Sequence, residues 1–463
     1  MKTKNYIYYD HTISLCTTCH KRINAKIVFE DNNVFMLKSC NEHGFQKVLI
    51  ADDKEFYKQI RNYNKASEYP NKPHTETLYG CPYDCGICPD HEQHSCLTLI
   101  EITDRCNLTC PTCYASSSPT YGNHRSLEEI EKMLDIIVES ETEPDVVQIS
   151  GGEPTVHPHF FEVLNIAKKK PIKHLMVNTN GIRIANDKDF AKKLAEYMPA
   201  FEIYLQFDSF KGEVLEQMRG RDLTDIRKKA LENLNEYNIS TTLVVTLQKG
   251  LNDDEIGKII EFALQQPCVR GVTFQPTQVS GRLLNFNTTT DRLTNTEVRR
   301  KILEQTTIFA ANDLIPVPCN PDALIMAYAL KLGGQTIPLT RLIDPELLLN
   351  SSRNTIVYEQ EKELHNYVMK MFSTGNSPEA AGSFFHHLLC CLPSIIAPDF
   401  TYDNLFRVII MNFMDAYDFD VRAIKKSCVH IVHPDGKVIP FETMNLFYRN
   451  GLEQKLHELK VLN

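Results

Sequence analysis

Three cysteines, Cys106, Cys110 and Cys113, stand at C-x3-C-x2-C spacing directly after the apolar run Leu97-Thr98-Leu99-Ile100-Glu101-Ile102-Thr103. Thiolates this close together hold an iron–sulfur cluster through three of its four irons, and the fourth iron then stays open to a non-protein ligand. Spacing alone also admits a zinc or structural role, although zinc sites usually present paired C-x2-C modules.

A second C-x3-C-x2-C set, Cys81, Cys85 and Cys88, has its own fourth thiol nearby in Cys96. Four thiolates close all four irons of a [4Fe–4S] cluster, so this set is assigned to an auxiliary cluster and the 106/110/113 set to the open one. The competing reading makes Cys96 a small buried apolar residue that starts the next strand. Further upstream, Cys16-x2-Cys19 and Cys40-x2-His43 flank the alternating stretches Ala25–Glu30 and Val34–Leu37, with turn chemistry at Asp31-Asn32-Asn33. Two chelating pairs at the ends of a β-hairpin form a metal knuckle, as in zinc ribbons and rubredoxin-like iron sites. His43 is the fourth ligand or lies beside it, and spacing does not separate iron from zinc.

The elements that must position the triad alternate strand with helix. Candidate strands are 97–103, 146–150, 174–178, 202–208, 242–247 and 271–275, and Ser126-Leu127-Glu128-Glu129 is a capping box that opens the first helix between them. Six βα units predict a parallel (β/α)6 half-barrel, a partial TIM barrel with its site at the strands' C-terminal ends. Gly151-Gly152-Glu153 ends the second strand, where backbone can approach a ligand and a carboxylate can receive an ammonium group. Asn180 follows the third strand, Gln206 and Asp208 share one face at the end of the fourth, and Gln275 ends the sixth.

Beyond Arg282 the alternation stops and helical patterns are read at 294–311, 321–332 and 355–372. The apolar stretch 383–419 is either core or a greasy groove that admits a long apolar substrate. Cys319 and Cys428 make an incomplete metal set, whereas Cys268, Cys390 and Cys391 read as buried apolar residues. The chain therefore divides into a metal knuckle (1–60), an auxiliary-cluster segment (61–96), the half-barrel (97–282) and a helix-rich C-terminal domain that covers substrate (283–463).

With 463 residues, 42% hydrophobic and 24% charged, the chain is long enough for several cores. A net charge of −9 argues against nucleic acid as a partner. The N-terminal residues lack an apolar core of signal-peptide length, and no window of about 18 apolar residues predicts a spanning helix. The 15 cysteines therefore predict a cytoplasmic, metal-rich protein whose only membrane contact is peripheral.

Triad, Gly151-Gly152-Glu153 and six βα units together resemble the radical SAM superfamily. Cys81-Pro-Tyr-Asp-Cys85, Phe274-Gln-Pro-x5-Gly281-Arg282 and Cys428-Val-His-x2-His-Pro-Asp-Gly extend the likeness to its archaeal tetraether lipid synthase subfamily, earlier considered pterin-methylating. That resemblance implies that S-adenosylmethionine (SAM) chelates the open iron and is cleaved to a 5′-deoxyadenosyl radical. It implies that Gly151, Gly152 and Glu153 hold the methionyl amine, that Asn180 supports SAM, that Tyr114 and Gln275 lie near adenine, and that Gln206 and Asp208 lie near ribose or substrate. Cofactors implied are the SAM-binding [4Fe–4S] cluster, SAM itself, an auxiliary [4Fe–4S] cluster and a mononuclear iron or zinc. The electron donor would be a flavodoxin or ferredoxin. The chain departs from the tetraether enzymes, which carry further C-terminal cysteines, in having Asn320-Pro321-Asp322-Ala323 after Cys319 and Glu442 after Phe441, and so lacks their pattern for a third cluster. The leading expectation is hydrogen abstraction from an unactivated carbon of a lipid chain. Methylation of a pterin- or folate-like small molecule is the alternative, and a non-catalytic iron–sulfur electron carrier is the alternative outside enzymes.

Overall fold

The computed structural model describes residues 4–62, 68–317, 320–332, 334–341, 404–449 and 451–461. Strands β1 (Ile7–Leu15), β2 (Arg22–Glu30), β3 (Asn33–Cys40) and β4 (Gly44–Ala51) form an antiparallel sheet in sequence order. The expected hairpin is its centre, closed where Glu30 pairs with Asn33. Its period-2 alternation buries Ala25, Ile27 and Phe29 beside Val34 and Met36.

Along the rest of the chain come β5 (Leu97–Thr103), β6 (Thr112–Cys113), β7 (Val146–Gly151), β8 (His174–Thr179), β9 (Phe201–Gln206), β10 (Thr241–Leu247), β11 (Val269–Pro276) and β12 (Arg282–Leu283). They are followed by β13 (Ile315–Pro316), β14 (Leu324–Leu332), β15 (Gln335–Pro338), β16 (Leu405–Met411), β17 (Val429–Val432) and β18 (Val438–Pro440). The six expected strands β5, β7, β8, β9, β10 and β11 are successive parallel neighbours. Helices Leu127–Glu141, Thr224–Glu236 and Ile256–Gln265 lie between them as read from the sequence, the first with its capping box formed.

Two expectations need correction. The sheet is not six-stranded but a twelve-stranded mixed sheet. Strand β16 pairs parallel with β11, and β17 pairs parallel with β5, so segments distant in sequence extend both edges. Residues 321–332 were expected as helix and instead supply β14, antiparallel to β16 from Leu324↔Met411 to Leu330↔Leu405. Its Ala, Leu and Met content suits a helix in isolation, but a partner strand some way down the chain satisfies its backbone. Its two faces are then buried in two different cores: Ile325, Ala327 and Ala329 in one, Leu324, Met326 and Leu330 in the other. Among the described residues the C-terminal region is thus part of the main sheet, with Asn295–Gln305 the expected helix that forms. The helix read at 355–372 and residues Cys319, Cys390 and Cys391 lie outside the described residues.

Strand alternation separates those two cores. Ile100, Val147, Val177, Ile203 and Val245 face the helices. Leu97, Leu99, Val146, Met176, Tyr204, Val244 and Met411 face the concave side, where the cavity lies. One floor of that concave side is ionic: both Arg407 Nη2 contacts to the Glu202 carboxylate are 2.6 Å, and Glu202 also meets His174 and the Thr242 hydroxyl. Among the described residues no helix is long and apolar enough to cross a membrane.

Candidate functional site

Cys106, Cys110 and Cys113 follow β5 and line one cavity at the C-terminal ends of the parallel strands. No other cysteine and no histidine lines it among the described residues. The loop that carries them is pinned at several points. Strand β6 pairs with β12, placing Cys113 opposite Arg282. The Arg282 guanidinium donates to the carbonyls of Cys110 (2.5 Å), Ser116 (3.3 Å) and Ser117 (2.7 Å). From the other side, Gly152 N–H donates to Thr103 O at 2.8 Å and Glu153 N–H to Arg105 O at 2.9 Å.

Those contacts explain the glycine pair. A Cβ on Gly151 would collide with the Thr103 carbonyl, and one on Gly152 with the Arg105 carbonyl. Gly151 also has φ +131°, a conformation that strongly favours glycine. The close approach these glycines permit is therefore to the start of the cysteine loop. Both also line the cavity.

Glu153 is buried beside them. Its Oε1 accepts from Thr155 N–H (3.2 Å), Thr155 Oγ1 (2.6 Å) and Thr179 Oγ1 (2.7 Å), and its Oε2 accepts from Asn180 N–H (2.8 Å). Every one of these donors is neutral, so burial prevails and pushes the carboxyl above its usual range. Such a carboxylate, fixed in rotamer and facing a cavity, is suited to receive a cation from a ligand. Asn180, held by its side-chain Nδ2 donating to Asn107 Oδ1 at 2.6 Å, lines the same space.

Gln206, Gln275 and Tyr114 also line the cavity. Gln206 Nε2 donates to Asn178 Oδ1 at 3.0 Å, and Gln275 Nε2 to the Tyr204 hydroxyl at 3.1 Å. Tyr114 packs between the Phe441 ring (5.0 Å between centroids) and the Arg449 guanidinium, which is itself held by buried Glu101. Tyr114 separates the inner cavity, about 170 Å³, from an outer polar one of about 470 Å³ that shares Ala115, Gly151 and Gly152.

Asp208 does not join them. It is fully buried outside the cavity lining, bound through both oxygens to Arg219 at 2.7 and 2.8 Å and to Arg227 at 3.5 Å. Burial would raise this carboxyl, but the two guanidiniums outweigh it and hold it below its ordinary range. Its partners are what reach the site: Arg219 and Arg227 line the cavity, two cations sharing one carboxylate beside the triad. That surplus of positive charge suits a cluster carried on three thiolates. Neither arginine was singled out from the sequence. The available signal was Arg227 at i, i+3, i+4 and i+7 with Ala230, Leu231 and Leu234, a cation on the buried face of its helix.

At the N-terminus, Cys16, Cys19, Cys40 and His43 bring one ligand atom each within 4.8 Å of all the others. His43 Nδ1 lies 3.6 Å from Cys16 Sγ and 3.5 Å from Cys40 Sγ, so the histidine is within the donor set. Burial would raise the Cys16 thiol, yet the N–H groups of Cys19 and Thr18 and the Gln46 amide bring it down to about 6. Four converging soft and borderline donors fit zinc or iron. In the segment between knuckle and sheet, Cys85 and Cys96 are buried while Cys81 and Cys88 are half-buried. Asp84 Oδ2 accepts the N–H groups of Leu78 and Gly80 at 2.6 and 2.9 Å, and Tyr448 accepts Cys85 N–H at 2.9 Å. Because Val429 pairs with Leu97, buried Cys428 follows the same register beside Cys96.

Comparison with known proteins gives a consistent result. Residues 100–263 match the model of the radical SAM superfamily, and residues 8–52 match that of the HMPTM N-terminal zinc ribbon domain. The chain is 31% identical to a 7,8-dihydro-6-hydroxymethylpterin dimethyltransferase of Methanocaldococcus jannaschii, over 96% of this chain and 95% of that protein. It is 32% identical to a probable GTP 3′,8-cyclase of Thermococcus kodakarensis over 35% of this chain and 52% of that one. Among solved structures, Streptococcus suis SuiB bound to S-adenosylmethionine aligns over 46% of each chain at 17% identity, with a TM-score of 0.37.

Proposed function

The chain belongs to the radical SAM superfamily and to its pterin-methylating-like subfamily, and from that membership we propose that it is a radical SAM methyltransferase acting on a pterin-like heteroaromatic. One observation favours this over a lipid substrate. The cavity that the triad lines carries the carboxamides of Gln148, Asn178, Asn180, Gln206, Gln275 and Gln278 beside apolar side chains, a mixture that suits a flat heteroaromatic better than an alkyl chain. Apolar walls accept the faces of a flat ring, and amides accept its hydrogen-bonding edge. Of the stretch read as a lipid groove, Met411 and Phe413 line this cavity, and 383–403 lies outside the described residues.

In this reading Cys106, Cys110 and Cys113 hold the catalytic [4Fe–4S] cluster. Occupied by that cluster and SAM, the site would supply one-electron reductive cleavage of the sulfonium, the chemistry of the superfamily. The chain's own residues prepare the site. Arg282 and the Gly152–Glu153 backbone fix the loop, and Arg219 and Arg227 offset the thiolates' negative charge. Glu153 receives the methionyl ammonium, whose arrival relieves a carboxylate buried among neutral donors. Asn180, Gln206, Gln275 and Tyr114 wall the space around cofactor and substrate, with Asp208 acting through the arginines. Cys81, Cys85, Cys88 and Cys96 hold an auxiliary cluster, and Cys16, Cys19, Cys40 and His43 a mononuclear zinc or iron.

The test is anaerobic incubation of reconstituted, reduced protein with methyl-labelled SAM and 7,8-dihydro-6-hydroxymethylpterin. Mass spectrometry should find methylated pterin with S-adenosylhomocysteine from the SAM that gives up its methyl group, together with 5′-deoxyadenosine and methionine from the SAM that is reductively cleaved. Replacing all three triad cysteines by alanine should abolish both. With a lipid extract added to the same mixture, 5′-deoxyadenosine formed with no pterin product, and a lipid mass lowered by loss of hydrogen, would return the lipid reading.

A further inference from the structure

Gln148 lies in the middle of β7, three residues before Gly151, and its side chain lines the inner cavity while only 3% exposed. Its Nε2 has no hydrogen-bond partner. The neighbouring amides are occupied: Asn178 donates to Ser150 Oγ at 3.3 Å, Gln206 to Asn178, and Gln275 to Tyr204. Gln148 finds no such neighbour because the residues paired with it across the sheet are Leu99 on β5 and Met176 on β8, both apolar. A buried amide donor with nothing to donate to is unfavourable, and it is compensated when an acceptor arrives from a ligand.

We infer that Gln148 is a specificity-determining residue, its Nε2 donating to the lactam carbonyl of a pyrimidinone-fused ring lodged against Leu99, which lines the same cavity. This rests on the pterin reading above and names the side chain that recognises the ring's edge. The carbonyl is the selected feature, because a ring bearing an amino group there would bring a second donor against the first. A site built to hydrogen-bond one group discriminates strongly against an analogue that cannot complete the bond.

The experiment measures binding of two ligands to the full-length, cluster-loaded protein: 7,8-dihydro-6-hydroxymethylpterin and its analogue with the lactam oxygen replaced by an amino group. The wild type should prefer the lactam by about 10- to 100-fold. Gln148→Glu, which only accepts, should reverse the preference, and Gln148→Leu should level it. The ratio within each protein is the readout, so a general loosening of the site cancels. A wild type that binds both ligands equally, or a ratio unchanged in both variants, overturns the role of Gln148 and leaves the pterin reading standing. A wild type that binds neither overturns both.

Discussion

Glu153 is a buried carboxyl, pushed above its usual range, to which the described residues offer only neutral donors, and that imbalance is the most direct chemical signal in the site. Glu153→Gln keeps most of those hydrogen bonds and removes the charge. It should raise the SAM dissociation constant by about 10- to 100-fold, as calorimetry under anaerobic conditions would report. An unchanged constant would remove Glu153 from the ammonium role. Arg282 acts at one remove, through three loop carbonyls. Arg282→Met should destabilise the loop by about 2–4 kcal/mol and lower the iron bound per chain after reconstitution. The C-terminal arginine of the sixth βα unit was legible as part of a motif, yet its carbonyl partners were not, because they lie in a loop far back along the chain.

At the scale of elements, the concave floor shows how strands from distant segments depend on each other. Burial would raise the Glu202 carboxyl, but Arg407, His174 and Thr242 hold it well below its usual range. Unfolded, this group titrates near about 4.3. Its stabilisation is therefore complete above that pH and is lost as pH falls toward the lower, folded value. Glu202→Gln leaves Arg407 buried without its counter-charge and should cost about 3–5 kcal/mol at pH 7. Urea unfolding should show the gap to wild type narrowing below about pH 4, and a gap constant with pH would contradict the assignment. Strands β5, β7, β8, β9 and β10 were readable because each is an apolar run with helix ahead of the next strand, and β11 because it is another such run closing the series. Strand β14 was not, because its partner β16 lies beyond a long insertion and only pairing reveals the period of two.

Over the whole molecule, the N-terminal knuckle docks through Lys38, whose buried ammonium donates to Ala416 O at 2.7 Å, Tyr417 O at 2.8 Å and Ser14 Oγ at 3.2 Å. Thr12 Oγ1 adds a hydrogen bond to Asp420 at 2.6 Å. Lys38→Met strands two carbonyls and should lower stability by about 1–3 kcal/mol, seen as a lower urea midpoint and faster proteolysis of the knuckle. Cys19→Ser should lower the metal held by the knuckle, read by metal analysis of the purified chain, while the charge-transfer absorbance of clusters held by the other cysteines persists. Simultaneous loss of both would mean that the knuckle and the sheet fold as one unit.

The sequence by itself determined the cysteine spacings, the glycine–glycine–glutamate turn and the strands that run parallel at the centre of the sheet. Each of these is local: thiol spacing, turn chemistry and hydrophobic period are all complete within a few residues. What the tertiary structure alone decided was which side chains face one another. It turned Asp208 away from the cavity and brought Arg219 and Arg227 to it, set Cys428 beside Cys96, and left Gln148 unpaired between Leu99 and Met176. Those outcomes depend on strand register and on pairings across the chain, and a sheet's register is fixed only when its partners meet.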